Sequence, residues 1–249
     1  MSWLGQRRID LEGCASTNDE AARLARAGAE HGTVVTARTQ SGGRGRQGRG
    51  WHSPPEGNVY LSCVLRPALA PDRVPPITLA AGLGVSDAVN SAGACSSLKW
   101  PNDVLVADKK IAGVLTEMST RGAALDSVVL GVGVNVAGTA FPPPLDRIAT
   151  SLALELGEAA PDAAGFTLIL LEALERWLDR FFTGGVEAIA PAWELRVSPR
   201  PVSAVIDGRT VTGRARGLDR DGALRLEDDS GAVHRIMAGD VTLAEEVSQ

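Results

Sequence analysis

The sequence predicts an α+β protein of 249 residues in two unequal parts, a larger one to residue 198 and a small all-β one from 199 to 249. Three observations carry this expectation. Strand-like runs such as Val34-Val35-Thr36-Ala37 and Val128-Val129-Leu130-Gly131-Val132 recur through the first half. Helical stretches with apolar faces interrupt them, one after Pro75-Pro76 and one over residues 166–180. Beyond the prolines at 199 and 201, five short strand-like runs (202–206, 210–216, 224–226, 233–237 and 241–243) alternate with the turn signals Asp207-Gly208 and Asp221-Gly222. Five short strands in so little chain predict a small barrel.

Taken in order, Ile9-Asp10-Leu11 forms a short strand. Ser16-Thr17-Asn18-Asp19-Glu20 then opens a helix reaching residue 29, with Ser16 and Asp19, or Thr17 and Glu20, placed for a capping box. A helix N-terminus also favours an anionic or polar ligand. Residues 33–39 form a strand that delivers Thr39 and Gln40 to a glycine-rich loop, and residues 58–65 form the next, with Tyr60 and Ser62 on one face. The order strand, glycine loop, strand predicts a hairpin. An apolar helix follows Pro75-Pro76 to residue 89. Pro101 then interrupts a strand and exposes Asn102 and Asp103 at a turn. Lys110 opens another strand, in which Gly113 admits a close neighbour, and Asn135 ends the run containing Gly131 and Gly133. Phe166, Ile169, Leu170, Leu174, Trp177, Leu178 and Phe181 make one core-facing stripe.

Composition narrows the class. Apolar residues make up 44% of the chain, as in a folded globular protein. A net charge of −5 gives no general attraction to nucleic acid. Cys14, Cys63 and Cys95 lack C-x-x-C spacing, which predicts buried thiols in a reducing compartment. There is no apolar run of membrane-spanning length, and the N-terminus lacks a secretory h-region; the expected location is the cytoplasm.

The local exception to the negative charge is Ser41-Gly42-Gly43-Arg44-Gly45-Arg46-Gln47-Gly48-Arg49-Gly50-Trp51, in a stretch without acidic residues from Glu30 to Glu56. Guanidinium groups bind carboxylates and phosphates bidentately, and glycine lets the backbone approach a ligand. Gly43-x-Gly45-x-x-Gly48 formally matches a dinucleotide fingerprint. That motif needs a following helix, whereas Trp51-His52-Ser53-Pro54-Pro55 resists one. A phosphate loop would need Lys-Ser or Lys-Thr, which is missing. An anion-binding active-site loop explains the pattern better than a solvated turn. The cations are otherwise arginine, yet Lys99, Lys109 and Lys110 fall within twelve residues. A retained lysine points to a compact ammonium at Lys99 and Lys110, with Lys109 on the surface.

Five pieces, Ser16-Thr17-Asn18, the glycine–arginine loop, Lys99-Trp100-Pro101-Asn102-Asp103, Lys110-Ile111-Ala112-Gly113 and Gly131-x-Gly133-x-Asn135, stand in an order that resembles the biotin–protein ligases, in particular the monofunctional type. The resemblance implies a mixed-sheet catalytic domain over 1–198 and an SH3-like barrel over 199–249. It implies that biotin carboxylate attacks Mg-ATP to give biotinyl-5′-adenylate, whose acyl group passes to a lysine of a biotin carboxyl carrier protein. It places Ser16, Thr17, Asn18, Gln40, Gly43, Arg44, Tyr60, Lys110, Gly113, Leu115 and Gly131 around biotin. Arg44, Arg46, Arg49, Trp51, Lys99, Asn102 and Asn135 would serve ATP and the adenylate, with Trp51 folded over the purine. Lys110 and Arg46 carry the catalytic roles, and Mg2+ enters without assigned ligands. His31, His52 and His234 fit no triad spacing.

Three departures from the family pattern stand out. Only fifteen residues precede Ser16, so the DNA-binding domain of some relatives is not expected. Gln47 replaces a frequent basic residue, and Ala244-Glu245-Glu246 stands where some relatives place an arginine toward ATP. Two alternatives stay open: a lipoate or octanoate ligase, which shares the catalytic fold, and an arginine–glycine RNA-binding module, which the net charge opposes.

Overall fold

A computed structural model describes residues 2–55, 57–206, 208–237 and 239–244. Its strands and α-helices follow the order β1 (Arg8–Leu11), α1 (Thr17–Arg26), β2 (Thr33–Ala37), β3 (Val59–Leu65), α2 (Ile77–Ser91), β4 (Ser96–Lys99), β5 (Asp103–Val106), β6 (Lys109–Arg121), β7 (Ala124–Val134), α3 (Leu152–Leu156) and α4 (Ala163–Glu194). Five more strands complete it: β8 (Val202–Ile206), β9 (Arg209–Leu218), β10 (Leu224–Asp228), β11 (Val233–Ile236) and β12 (Thr242–Leu243). Asp207, of the turn expected at Asp207-Gly208, and Glu245-Glu246 lie outside the described residues.

The first seven strands form one sheet in the order β1-β2-β3-β7-β6-β5-β4. It is mixed, because β1 runs parallel to β2 while the other neighbours are antiparallel. The expected hairpin across the glycine loop is the β2–β3 pair. Strict alternation divides the sheet faces. Leu61, Cys63 and Leu65 of β3, with Val128, Leu130, Val132 and Val134 of β7, enter the main core against α2 and α4. On the opposite face Val35, Val64 and Val129 meet Ala21 and Ala25 of α1 in a small second cluster. Tyr60, Ser62, Gly131 and Gly133 share that second face, so the sheet offers a shallow, polar floor beside α1.

The helix expected over 166–180 extends to Glu194 and bends at Gly185, whose φ is 64°. Phe166, Leu170, Leu174, Trp177, Leu178 and Phe181 are buried as the periodicity requires. Ile169 is 37% exposed and leaves the stripe. The thiols also differ from expectation: Cys63 is buried, Cys14 partly so, and Cys95 exposed. The second sheet is antiparallel, in the order β11-β10-β9-β8-β12. Trp100 Nε1 donates to Gly222 O at 3.1 Å and ties it to the first.

Helices α2 and α4 approach closely at Gly84 of α2. An added Cβ there would lie 2.9 Å from Leu174 Cα and 3.1 Å from Ala173 O, both backbone atoms of α4. Gly84→Ala should therefore cost ~1–3 kcal/mol by overpacking, less ~1 kcal/mol of gained helix propensity. The net of ~0–2 kcal/mol should lower Tm in thermal melts by up to about 4–8 °C; a raised Tm would contradict this contact.

Candidate active site

The floor of the site is built by absence of side chains. Cross-strand pairing sets Tyr60 opposite Gly133 and Gly133 opposite Gly113; the next row sets Ser62 opposite Gly131 and Gly131 opposite Leu115. A Cβ on residue 133 would stand 2.6 Å from the Trp51 indole, and one on residue 131 would stand 2.1 Å from Asn18 Oδ1. Trp51 thus lies on Gly133 and Gly113, with Lys110 Nζ 5.3 Å from its ring centroid. What remains open is about 40 Å³. Ligand pockets usually hold several hundred Å³, so a ligand on this floor must displace the indole. The Trp51 indole, expected over a purine, lies on the sheet.

The loop that carries Trp51 is a tight hairpin. Arg44 bridges Gly50, Gly45 N donates to Arg49 O at 2.7 Å, and Trp51 N donates to Gly43 O at 2.8 Å. Gln47 at its tip adopts a left-handed φ of 55°. Gly43 does not line the cavity; it is pressed against Ser53 Oγ, where a Cβ would come within 2.6 Å.

Ser16, Thr17 and Asn18 begin α1 and line the cavity together with Gln40, Tyr60 and Leu115. The expected capping box is not made: Ser16 occupies the N-cap position, yet no side-chain cap hydrogen bond forms. Asp19 is drawn away into a bidentate pair with Arg44, at 2.8 and 2.6 Å. The hydrogen bond from Arg44, against a smaller opposing effect of burial, holds the Asp19 carboxyl below its ordinary range. Thr17 N instead donates to Gln40 Oε1 at 2.8 Å, which fixes the Gln40 amide over the helix start.

The cations divide into two groups. Lys110 Nζ lies 2.5 Å from Asp103 Oδ1 and Lys99 Nζ 2.8 Å from Asp103 Oδ2. Burial pushes the Asp103 carboxyl up, but the two ammonium groups outweigh it and hold it below the usual carboxylate range. The expected exposed turn at Asn102-Asp103 is therefore corrected: Asn102 is buried and donates to Val114 O at 3.0 Å, and the Asp103 side chain is 12% exposed. Lys109 is exposed, as expected. In the second group Arg46 Nη1 pairs with Asp240 Oδ1 at 2.9 Å, and Arg49 pairs with the other oxygen of the same carboxylate. Arg46 lines a wider cleft of about 350 Å³ between α2, β6 and the second sheet, with Trp100, Met118 and Met237.

Of the residues selected from sequence, Ser16, Thr17, Asn18, Gln40, Arg44, Trp51, Tyr60, Asn102, Lys110, Gly113, Leu115 and Gly131 converge on the one cavity. Gly43, Arg46, Arg49, Lys99 and Asn135 do not line it. Asn135 is buried, its Nδ2 donating to Thr150 O at 2.9 Å, so that it pins the segment beside Lys110. Gly133, Asp103, Asp19 and Asp240 were not selected. The motif pieces Gly131-x-Gly133 and Lys99-Trp100-Pro101-Asn102-Asp103 already held the first two; Asp19 and Asp240 lie far from their partners in sequence and gave no local signal. Among the described residues no three His, Cys, Asp or Glu side chains converge as a metal site.

Glycine floor, clustered lysines and an arginine hairpin beside a helix start define a site for joining two anionic groups. Residues 14–135 match the biotin/lipoate A/B protein ligase family, and residues 198–243 match the biotin protein ligase C-terminal domain. The chain is 36% identical to the bifunctional ligase/repressor BirA of Bacillus subtilis, over 96% of this chain and 75% of that protein. It is 38% identical to a biotin–[acetyl-CoA-carboxylase] ligase of Mycobacterium tuberculosis, over 95% of this chain and 89% of that one. In three dimensions it is similar to a biotin protein ligase from Aquifex aeolicus in complex with biotin and ATP, with a TM-score of 0.80 and 29% identity over 97% of this chain and all of the other. The chain belongs to the biotin protein ligase family.

The Asp103 pairings carry a pH dependence. Its folded carboxyl titrates below its unfolded value, so its ionised form adds stability above about pH 4 and that part is lost as pH falls through the lower folded value. Asp103→Asn should lower Tm at about pH 7 and lose less on acidification below about pH 4 than the unsubstituted protein. Thermal melts across that range check it; equal acid losses would contradict the pairing.

Proposed function

We infer that the protein is an ATP-dependent ligase that activates biotin as biotinyl-5′-adenylate and transfers it to a lysine of a biotin carboxyl carrier protein. The observation that carries this is the convergence of Lys110, Arg44 and the Ser16-Thr17-Asn18 helix start on the cavity floored by Gly113, Gly131 and Gly133. A carboxylate brought to ~4 Å from a phosphate meets a repulsion of ~4 kcal/mol per charge pair at an effective dielectric of about 20. Preorganised cations at the reacting centre offset it.

In the proposed first step a biotin carboxylate oxygen attacks the α-phosphorus, the bond to the bridging oxygen breaks, and pyrophosphate leaves. Lys110, anchored by Asp103, stands where it can neutralise the crowded oxygens, and Lys99 supports the phosphates from the other side of Asp103. In the second step the acceptor lysine's neutral amine attacks the acyl carbon and AMP leaves. Thr17, Gln40 and Ser16 take the ureido ring; Tyr60, Gly113 and Leu115 take its apolar side. Trp51 leaves the glycine floor when biotin arrives and closes over the nucleotide, with Asn102 and Asn135 behind it. Arg46 and Arg49 exchange Asp240 for phosphate. Among the described residues no group of acids makes a metal site, and Mg2+ is usually held by substrate phosphates with few protein ligands; we propose that it enters as Mg-ATP, a substrate.

We place the domain boundary between residues 198 and 199. Among the described residues no helix is long and apolar enough to cross a membrane; with its free thiols the protein is proposed to work in the cytoplasm.

Biotin-dependent ATP–pyrophosphate exchange tests the reading. Exchange is expected with biotin and not with lipoate or octanoate; the reverse result would move the protein to the lipoate class. Arg46→Gly should release adenylate about tenfold faster or more, the loss of a charge-assisted hydrogen bond, and label bystander lysines. A variant that retains adenylate as well as the unsubstituted protein would remove Arg46 from this role.

A further inference from the structure

Glu117 lies on β6 one pleat beyond Leu115, outside the cavity, and its part in the chemistry is not evident from the lining. It nevertheless ends a continuous hydrogen-bond path. Asn18 Nδ2 donates to Glu117 Oε2 at 2.6 Å. Ser62 Oγ lies 2.6 Å from Asn18 Oδ1 and 2.8 Å from Thr17 Oγ1. Thr17 Oγ1 in turn lies 3.1 Å from Gln40 Oε1, which already accepts from Thr17 N at 2.8 Å. At the far end Gln40 Nε2 donates to Ser53 Oγ at 3.0 Å, and Ser53 Oγ donates to Trp51 O at 3.0 Å.

Counting protons fixes where the Ser62 proton goes. A hydroxyl has one proton, a carbonyl none, and an ionised carboxylate only accepts. Glu117 therefore demands the NH2 end of Asn18 and turns its oxygen toward Ser62. Asn18 is 4% exposed and Ser62 fully buried, so two lone-pair oxygens facing each other at this separation would be costly. Ser62 must give its only proton to Asn18 Oδ1, at 2.6 Å, and cannot then give it to Thr17. Thr17 has a single proton of its own, which Gln40 Oε1 accepts, and with the Ser62 proton on Asn18 it receives none, so its oxygen lone pairs stay free on the side that borders the cavity. Gly131 makes the arrangement possible, because any side chain there would strike the Asn18 amide.

We propose that Glu117 is a positioning residue that sets the polarity of the Ser16–Asn18 pocket wall, leaving Thr17 Oγ1 as an acceptor for a ligand N–H. The proposal rests on the biotin reading, whose ureido ring supplies such N–H donors. Without an acceptor at residue 117 the Asn18 amide can turn over. Asn18 then donates to Ser62, Ser62 to Thr17 and Thr17 to Gln40 Oε1, and one of the two lone pairs offered to the ligand is used up. Glu117 Oε1 also stands 3.8 Å from Arg44 Nη2, so charge must be separated from polarity in the test.

Two variants of the full chain do this. Glu117→Leu removes the acceptor at a side chain that is 45% exposed, where the substitution is compatible with folding. Glu117→Gln removes the charge but keeps an oxygen that accepts from Asn18. With biotin as the titrant in calorimetry and exchange assays, Glu117→Leu should weaken biotin binding and raise the biotin KM about tenfold. The ATP KM, kcat at saturating biotin and Tm should stay near those of the unsubstituted protein. Glu117→Gln should recover most of the biotin affinity. Equal weakening in both variants would assign the effect to the charge beside Arg44 and overturn the proposal, as would unchanged biotin affinity in Glu117→Leu. If the unsubstituted protein binds no biotin, it is the functional reading that falls.

Discussion

Two ammonium groups share one carboxylate, and the site is arranged around that fact. Lys99 and Lys110 both reach Asp103, each oxygen taking one nitrogen. Unscreened, two such cations ~4 Å apart repel by ~4 kcal/mol at an effective dielectric of about 20. Asp103 removes that cost and also aims the lysines. It stands at the start of β5, opposite Gly113 of β6, so that the hairpin from β4 to β5 and the pairing to β6 bring both ends of the triad together. Lys110 then lies over Trp51, and Trp51 lies on the glycines. The order of strands thus becomes the order of charges.

The rest of the site is a problem of room. On the adjacent strands β6 and β7 the face beside α1 carries glycine at positions 113, 131 and 133, which lowers the floor by a side-chain layer. The opposite face of the same strands is packed with valine and leucine against α2 and α4. One sheet therefore supplies a rigid support on one side and a shallow, hydrogen-bonding basin on the other. That division follows from the period of two along each strand.

Much of this was legible in the sequence, for identifiable reasons. The glycine and valine alternation in β7 and the strand-forming runs beyond residue 200 act locally, and they produced the elements expected. The glycine–arginine loop and the lysine pair were conspicuous because they break the chain's own habits of charge. What escaped were pairings across the fold. Asp103 was expected at an exposed turn, since a sequence does not reveal that two lysines will close around it. Asp19 suited a helix cap until Arg44, twenty-five positions away, took both its oxygens. Glu117 sits on a strand that exposes its neighbours, and nothing local distinguishes it from a solvated acid. The positive groups were found by type; their counterions depended on tertiary geometry.

Asp240 lies just ahead of β12, in the small second sheet's portion of the chain, yet its partners are Arg46 and Arg49 of the loop from the large one. Two guanidinium groups and one carboxylate leave a single surplus positive charge at this junction. An incoming polyanion thus meets half the bare attraction of the two arginines, and it gains the remainder only by evicting the resident acid. The terminal part of the chain thereby supplies the counter-charge of the loop.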